Sequence, residues 1–151
     1  MSETLNFRKA TIEDLDLIVA LLANDPLGAG RELKADRQVY LSAFEKIDND
    51  PNQELIVAES EAGIMGTFQL SYLQYLTYSG GMRAQVEAVR VHPDHRGKGI
   101  GKQLFEWAIQ RAKAKGAHLL QLTTDKKRPE AFSFYEGLGF VSSHEGMKLH
   151  F

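Results

Sequence analysis

Hydrophobic positions along the chain change period several times, and each change marks a new element. Residues 5–9 alternate, as a short first strand does. Thr11 then precedes Ile12, Glu13 and Asp14, a Thr-x-x-Asp variant of the capping box, and Leu15, Ile18, Val19, Leu21 and Leu22 follow at helical spacing. The first helix is expected to reach about Asn24. Pro26, Gly28 and Gly30 resist regular structure, so residues 24–30 read as a loop. A second helix is expected over 36–47, with Val39, Tyr40, Ala43, Phe44 and Ile47 apolar.

The period then becomes that of strands. Residues 54–59 and 64–75 read as a hairpin, and a turn at 77–81 leads into a third strand over 83–91, which together make an antiparallel meander. Over 99–115 the helical period returns, with Ile100, Leu104, Phe105, Ala108, Ile109 and Ala112 on one face and Gly116 as the stop. A strand over 119–123, a helix over 129–138 that starts on Pro129, and a final strand pair across 142–146 complete the chain. Strand, helix and strand in succession imply a right-handed parallel crossover. The fold class expected is α/β (α+β), a mixed and mostly antiparallel sheet of about six to seven strands flanked by about four helices. With 151 residues and no linker or repeat, the chain reads as one domain.

Composition narrows the chemistry. A content of 43% hydrophobic residues and a net charge of -2 exclude disorder. The absence of cysteine excludes disulfides, thiolate metal sites and a thiol nucleophile. No apolar run approaches the roughly 20 residues needed to span a bilayer, so the expected location is cytoplasmic. The small net charge conceals an asymmetry. Residues 83–128 hold 11 Lys and Arg against 4 Asp and Glu, or +7, which leaves 7 against 16, or -9, elsewhere. Either the basic block meets an anion or it is a solvated charged face.

Residues 89–102 carry the candidate chemistry, running from strand to turn to a basic, glycine-rich loop and a helix start. Unpaired amides at a helix N-terminus, with glycines that let an anion approach, make a phosphate site. A Walker loop needs Ser or Thr after Gly-Lys, and here Gln103 follows Gly101 and Lys102. The dinucleotide fingerprint needs Gly-x-Gly-x-x-Gly, and the spacing here is Gly97, Gly99, Gly101. Arg-x-x-Gly-x-Gly does fit, from Arg96 to Gly101. Together with Val89, Val91 and Pro93 before it and Phe134-Tyr135-Glu136-Gly137-Leu138-Gly139-Phe140 after it, this segment resembles the Gcn5-related N-acetyltransferase superfamily. The specific match covers about residues 87–140.

The resemblance implies the acyl-CoA N-acyltransferase fold and an enzyme that moves an acetyl group from acetyl-CoA to a primary amine by direct attack in a ternary complex. It assigns Arg96, Gly97, Lys98, Gly99, Ile100, Gly101 and Lys102 to the cofactor pyrophosphate, and the main chain of Val89 and Val91 to the pantetheine arm. It makes Glu87 the base that takes a proton from the amine, with His92 or His95 as weaker substitutes, and Tyr135 the acid that protonates the leaving thiolate. The alternatives are a surface ion-pair glutamate and an aromatic packed under Phe140. Many family members have Asn seven residues before this tyrosine; Arg128 stands there, and it either meets a cofactor phosphate or belongs to a solvated basic turn. No metal is implied.

The acceptor side is less defined. Residues 1–82 hold 6 Lys and Arg against 13 Asp and Glu, which suggests steering of a cationic amine. Asn24, Asp25, Arg31 and Tyr72 are the candidate acceptor contacts, with Tyr75 and Tyr78 beside them. An acyl-CoA-binding regulatory module without catalysis is the alternative function, and a nucleic-acid binder ranks below it because the chain is acidic overall. Neither nucleic acid nor a membrane is expected as a partner. Family habit alone points to a homodimer.

Overall fold

The computed structural model describes residues 4–24, 32 and 35–151. Its order is β1 (Asn6–Lys9), a 3-10 turn (Ile12–Asp14), α1 (Leu15–Ala23), α2 (Arg37–Asp48), β2 (Gln53–Ser60), β3 (Gly63–Gln74), β4 (Met82–Val91), a second 3-10 turn (Pro93–His95), α3 (Ile100–Ala114), β5 (Leu119–Gln121) and α4 (Pro129–Gly137). Two compact units divide after Gln121. The first holds one five-stranded sheet in the order β1-β2-β3-β4-β5, antiparallel except for the parallel β4–β5 pair. The second holds α4 and the residues that follow it.

Local chemistry sets the ends of these elements. Asp14 accepts from the Thr11 amide at 2.7 Å, so the capping residue read from sequence opens the turn into α1. The Asp36 side chain accepts from the Gln38 amide and starts α2. Between β3 and β4 the chain turns at Thr77–Gly80, where Tyr78 and Ser79 have φ of 54° and 58°. That hairpin conformation favours Asn-Gly, and Tyr78 holds it with its ring against His118 at 5.0 Å.

Packing on both faces fixes the sheet. On one face Leu15 and Ile18 of α1 and Phe44 of α2 cluster with Val57, and Leu55 packs against them. On the other, α3 lies over β3 and β4 with Leu104, Phe105 and Ala108 buried. Covered on both sides, Ile56, Val57, Ala58, Met65, Phe68 and Leu70 are all less than 2% exposed. The α3 face carries a buried polar network. Arg111 of α3 donates to Glu54 of β2 through Nη2 at 2.6 Å and Nε at 3.1 Å, and the Tyr72 hydroxyl donates to the same carboxylate.

The strand count is lower than the sequence expectation. Five strands form among the described residues, β5 stops at Gln121, and no ladder forms across residues 142–146. Alternating apolar residues show what could face a core, but a strand also needs a partner for its amides. In 138–151 Val141, Met147 and Leu149 are exposed instead. Among the described residues no helix is long and apolar enough to cross a membrane.

Candidate active site

The site is organised by β4. Its outer edge pairs with β5 only through Arg83, Ala84 and Gln85. From Glu87 to Val91 that edge is left by β5, while the inner edge stays paired to β3. An open edge is therefore present beside Val89 and Val91, where Arg90 Nη1 donates to the Val89 carbonyl at 3.0 Å. A bulge marks the same point. Gln69 pairs with Glu87 but Thr67 with Arg90, so Phe68 faces both Ala88 and Val89, and Ala88 takes φ of 55°. A left-handed alanine costs on the order of 1 kcal/mol or more, and the bulge changes the direction in which β4 presents its side chains.

Glu87 is exposed, and the Gln85 amide donates to its Oε1 at 2.9 Å. His92 is less suited to act as a base. Its Nδ1 accepts from the Asp94 amide at 3.2 Å and caps the turn Pro93–His95. His95 packs its ring 5.3 Å from that of His92.

After the turn, Gly97 and Gly99 take φ of 76° and 78°. A Cβ at either would meet nothing within 4 Å, so the backbone angle selects glycine and the space above the loop stays open. Gly99 stands at the N-cap of α3, which no side chain caps, and Ile100, 3% exposed, anchors the loop in the core. The first amides of a helix lack intrahelical partners. Those of Ile100, Gly101 and Lys102, with the positive end of the helix dipole and the exposed side chains of Arg96, Lys98 and Lys102, form a cradle that fits a diphosphate. Arg96 also donates to the Asn24 carbonyl at 2.9 Å, which ties the loop to the end of α1.

Among the other candidates, Asp25 and Arg31 lie outside the described residues. Tyr72, expected as an acceptor contact, lies on β3. It is 6% exposed on the α3 face, with its hydroxyl on Glu54 and the Lys115 ammonium 5.5 Å from its ring centre. Burial, reinforced by the Glu54 carboxylate, holds the Tyr72 phenol above its usual range. Burial alone would raise the Glu54 pKa; hydrogen bonds from Arg111 and Tyr72 outweigh it and keep the carboxyl below the ordinary range. In the second unit Tyr135 sits on α4 with its ring 6.2 Å from Phe140, edge to face, and Arg128 stands just before the first residue of that helix.

Sequence reasoning missed the Glu54–Arg111 pair and the bond from Gln85 to Glu87. A signal existed for the first. Arg111 stands seven residues after Leu104 on the buried stripe of α3, and a charge on such a stripe requires a partner.

The chain matches the model of the acetyltransferase (GNAT) family over residues 18–140. It is 31% identical to the aminoalkylphosphonate N-acetyltransferase of Salmonella typhimurium over 140 residues, covering 91% of this chain and 85% of that protein. It is 30% identical to an L-methionine sulfoximine/L-methionine sulfone acetyltransferase of Pseudomonas paraeruginosa over 147 residues, covering 91% of this chain and 81% of that one. A crystal structure described as a transcriptional regulator from Bacillus halodurans C-125 superposes with a TM-score of 0.92 at 51% identity, over 98% of this chain and 100% of that chain.

Proposed function

Since this chain belongs to the acetyltransferase (GNAT) family and is an acetyl-CoA-dependent acyltransferase, we propose that it acetylates a primary amine by direct attack in a ternary complex. The observation that carries this reading is the open edge of β4, which runs from the exposed Glu87 carboxylate to a cationic cradle at the start of α3. When bound, acetyl-CoA supplies an electrophilic thioester carbonyl. Arg96, Lys98, Lys102 and the amides of 97–102 hold its diphosphate, and the β4 main chain at Val89 and Val91 holds the pantetheine arm. An ammonium cannot attack a carbonyl carbon, so Glu87 takes the amine proton, directly or through water. The nitrogen–carbon bond forms, the carbon–sulfur bond breaks, Tyr135 donates a proton to the departing thiolate, and the second proton shed by the nitrogen returns to the Tyr135 oxygen through water. With no cysteine in the chain, no acyl-cysteine intermediate intervenes.

The acceptor is a small molecule in this proposal, supported by the amino compounds for which the two relatives are named. The description of the 51% identical structure favours a second reading, an acyl-CoA-binding regulatory module. Thiol release from acetyl-CoA, measured against 2-aminoethylphosphonate, L-methionine sulfoximine, spermidine and a lysine peptide, separates the two. Turnover of one amine supports the enzyme; CoA binding without thiol release from any amine supports the module. Gly99→Asp puts a charge and a strained side chain into the cradle and is expected to abolish CoA binding, and unchanged affinity would reject the cradle.

A further inference from the structure

Glu87 does not stand alone on its face of the sheet. Gln53 of β2, Ser71 of β3, Gln85 of β4 and Gln121 of β5 are in register, each paired with the next, so four polar side chains cross one face in a row. Leu55 and Gln69, also paired, belong to this face, and Leu55 places it on the side of α1 and α2. Glu87 pairs with Gln69 and joins the row. The hydrogen bonds run one way along it. Gln121 Nε2 donates to Gln85 Oε1 at 2.9 Å, and Gln85 Nε2 donates to Glu87 Oε1 at 2.9 Å.

This polarity is forced by chemistry. An ionised carboxylate only accepts, so the amide of Gln85 must turn its nitrogen to Glu87. Its carbonyl then faces the opposite way and needs a donor, which Gln121 supplies. Gln121 is the last residue of β5, and the Gln85–Gln121 pair is the last rung before β5 leaves the edge of β4. The clamp therefore stands at the mouth of the opening, where a long exposed side chain would otherwise sample several rotamers.

We propose that Gln85 is a positioning residue that fixes the Glu87 carboxylate for proton transfer from the acceptor amine, and that Gln121 locks the amide of Gln85 in the orientation this requires. The proposal rests on Glu87 as the base. A neutral donor suits the role: it orients the carboxylate through one oxygen without the competing charge an arginine would bring. The second oxygen, Oε2, is the one left to receive a proton.

The test combines spectra and kinetics. In the wild-type protein the side-chain amide of Gln85, assigned by its loss in Gln85→Leu, is expected to shift in Glu87→Gln and Gln121→Leu, and to stay in place in Glu54→Gln. With the amine of highest turnover in the acceptor panel, Gln85→Leu is expected to lower kcat about tenfold and to leave the KM for acetyl-CoA within about twofold. Gln121→Leu is expected to give a smaller loss of about threefold, as it removes only the lock. In a Glu87→Gln background, adding Gln85→Leu should change kcat by less than about twofold, since a positioning residue has nothing left to position. An equal tenfold loss in both backgrounds, or an amide signal indifferent to Glu87, would overturn the proposal while leaving Glu87 as base intact. Unchanged turnover in Glu87→Gln alone would instead reject the base, and thiol release from no amine would reject the reaction; either also removes the positioning role.

Discussion

Two glutamates on one sheet show how differently the same side chain can be used. Glu54 and Glu87 lie on opposite faces of neighbouring parts of the sheet, Glu54 towards α3 and Glu87 on the side of α1 and α2. Glu54 is 5% exposed and saturated, with Arg111 across both oxygens and the Tyr72 hydroxyl on one. Glu87 is exposed and has a neutral amide on one oxygen. A guanidinium partner in a closed site removes a carboxylate from proton chemistry and makes it a structural tie. A single amide in an open site orients it and leaves it free to react.

The largest effect should come from the open site. Glu87→Gln keeps shape and hydrogen-bonding reach but cannot take a proton, so turnover should fall on the order of a hundredfold to a thousandfold while CoA affinity and melting temperature hold. Thiol-release kinetics and thermal scans check both halves. A drop in melting temperature instead would erase the contrast with Glu54.

Glu54→Ala should do the opposite. It leaves the Arg111 guanidinium and the Tyr72 hydroxyl on the buried side without their acceptor. Arg111 is 36% exposed, so the cost falls near the lower end for a broken buried pair, about 3 kcal/mol. That corresponds to roughly 10 °C in melting temperature, with the activity of the folded fraction retained.

A smaller effect is set by pH. The folded-state pKa of Glu54 is depressed, so its stabilisation is fully present above the unfolded carboxyl value of about 4.3 and is lost as pH falls through the lower folded value. Urea midpoints from pH 5 down to pH 2 should therefore fall less steeply in Glu54→Gln than in the wild type. The Arg8–Asp14 pair at 2.7 Å, whose hydrogen bond also depresses the Asp14 carboxyl, remains in both proteins and keeps part of the slope.

The smallest expected change sharpens the comparison most. Replacing the whole network, as Glu54→Leu with Tyr72→Phe and Arg111→Met, exchanges a satisfied buried cluster for apolar packing and should leave stability within about 1 kcal/mol of the wild type. A loss as large as that of Glu54→Ala would show that the charges themselves, and not the vacancy left by one partner, hold α3 to the sheet.

What could be read from the letters was what depends on near neighbours in the chain. The two glycines of the loop, the helix that begins at Ile100 and the cations around it act through local backbone angles and local charge, so their order was enough. The helix expected over 36–47 was legible through its apolar period and the one on Pro129 through ring geometry, for the same reason. Ala88 was not, because nothing in an alanine announces φ of 55°; a mismatch of register between β3 and β4 imposes it. The burial of Tyr72 was not legible either, because an aromatic in an alternating strand gives no sign of which face is wet. The expected strand pair across 142–146 failed on the same ground, since alternation is a property of one segment and a ladder needs two.

By itself the sequence determined the kinds and order of the elements as far as Gln121, the helix on Pro129 and the glycine-rich loop, and with them the family. Only the tertiary structure decided where β5 leaves β4, which carboxylate is sealed by an arginine and which is held open by a glutamine. Those outcomes depend on Arg111 reaching Glu54 across 57 positions and on Gln121 reaching Gln85 across 36. Contacts at such separations are fixed by strand register and helix docking, which bring distant residues together only after the local elements have formed.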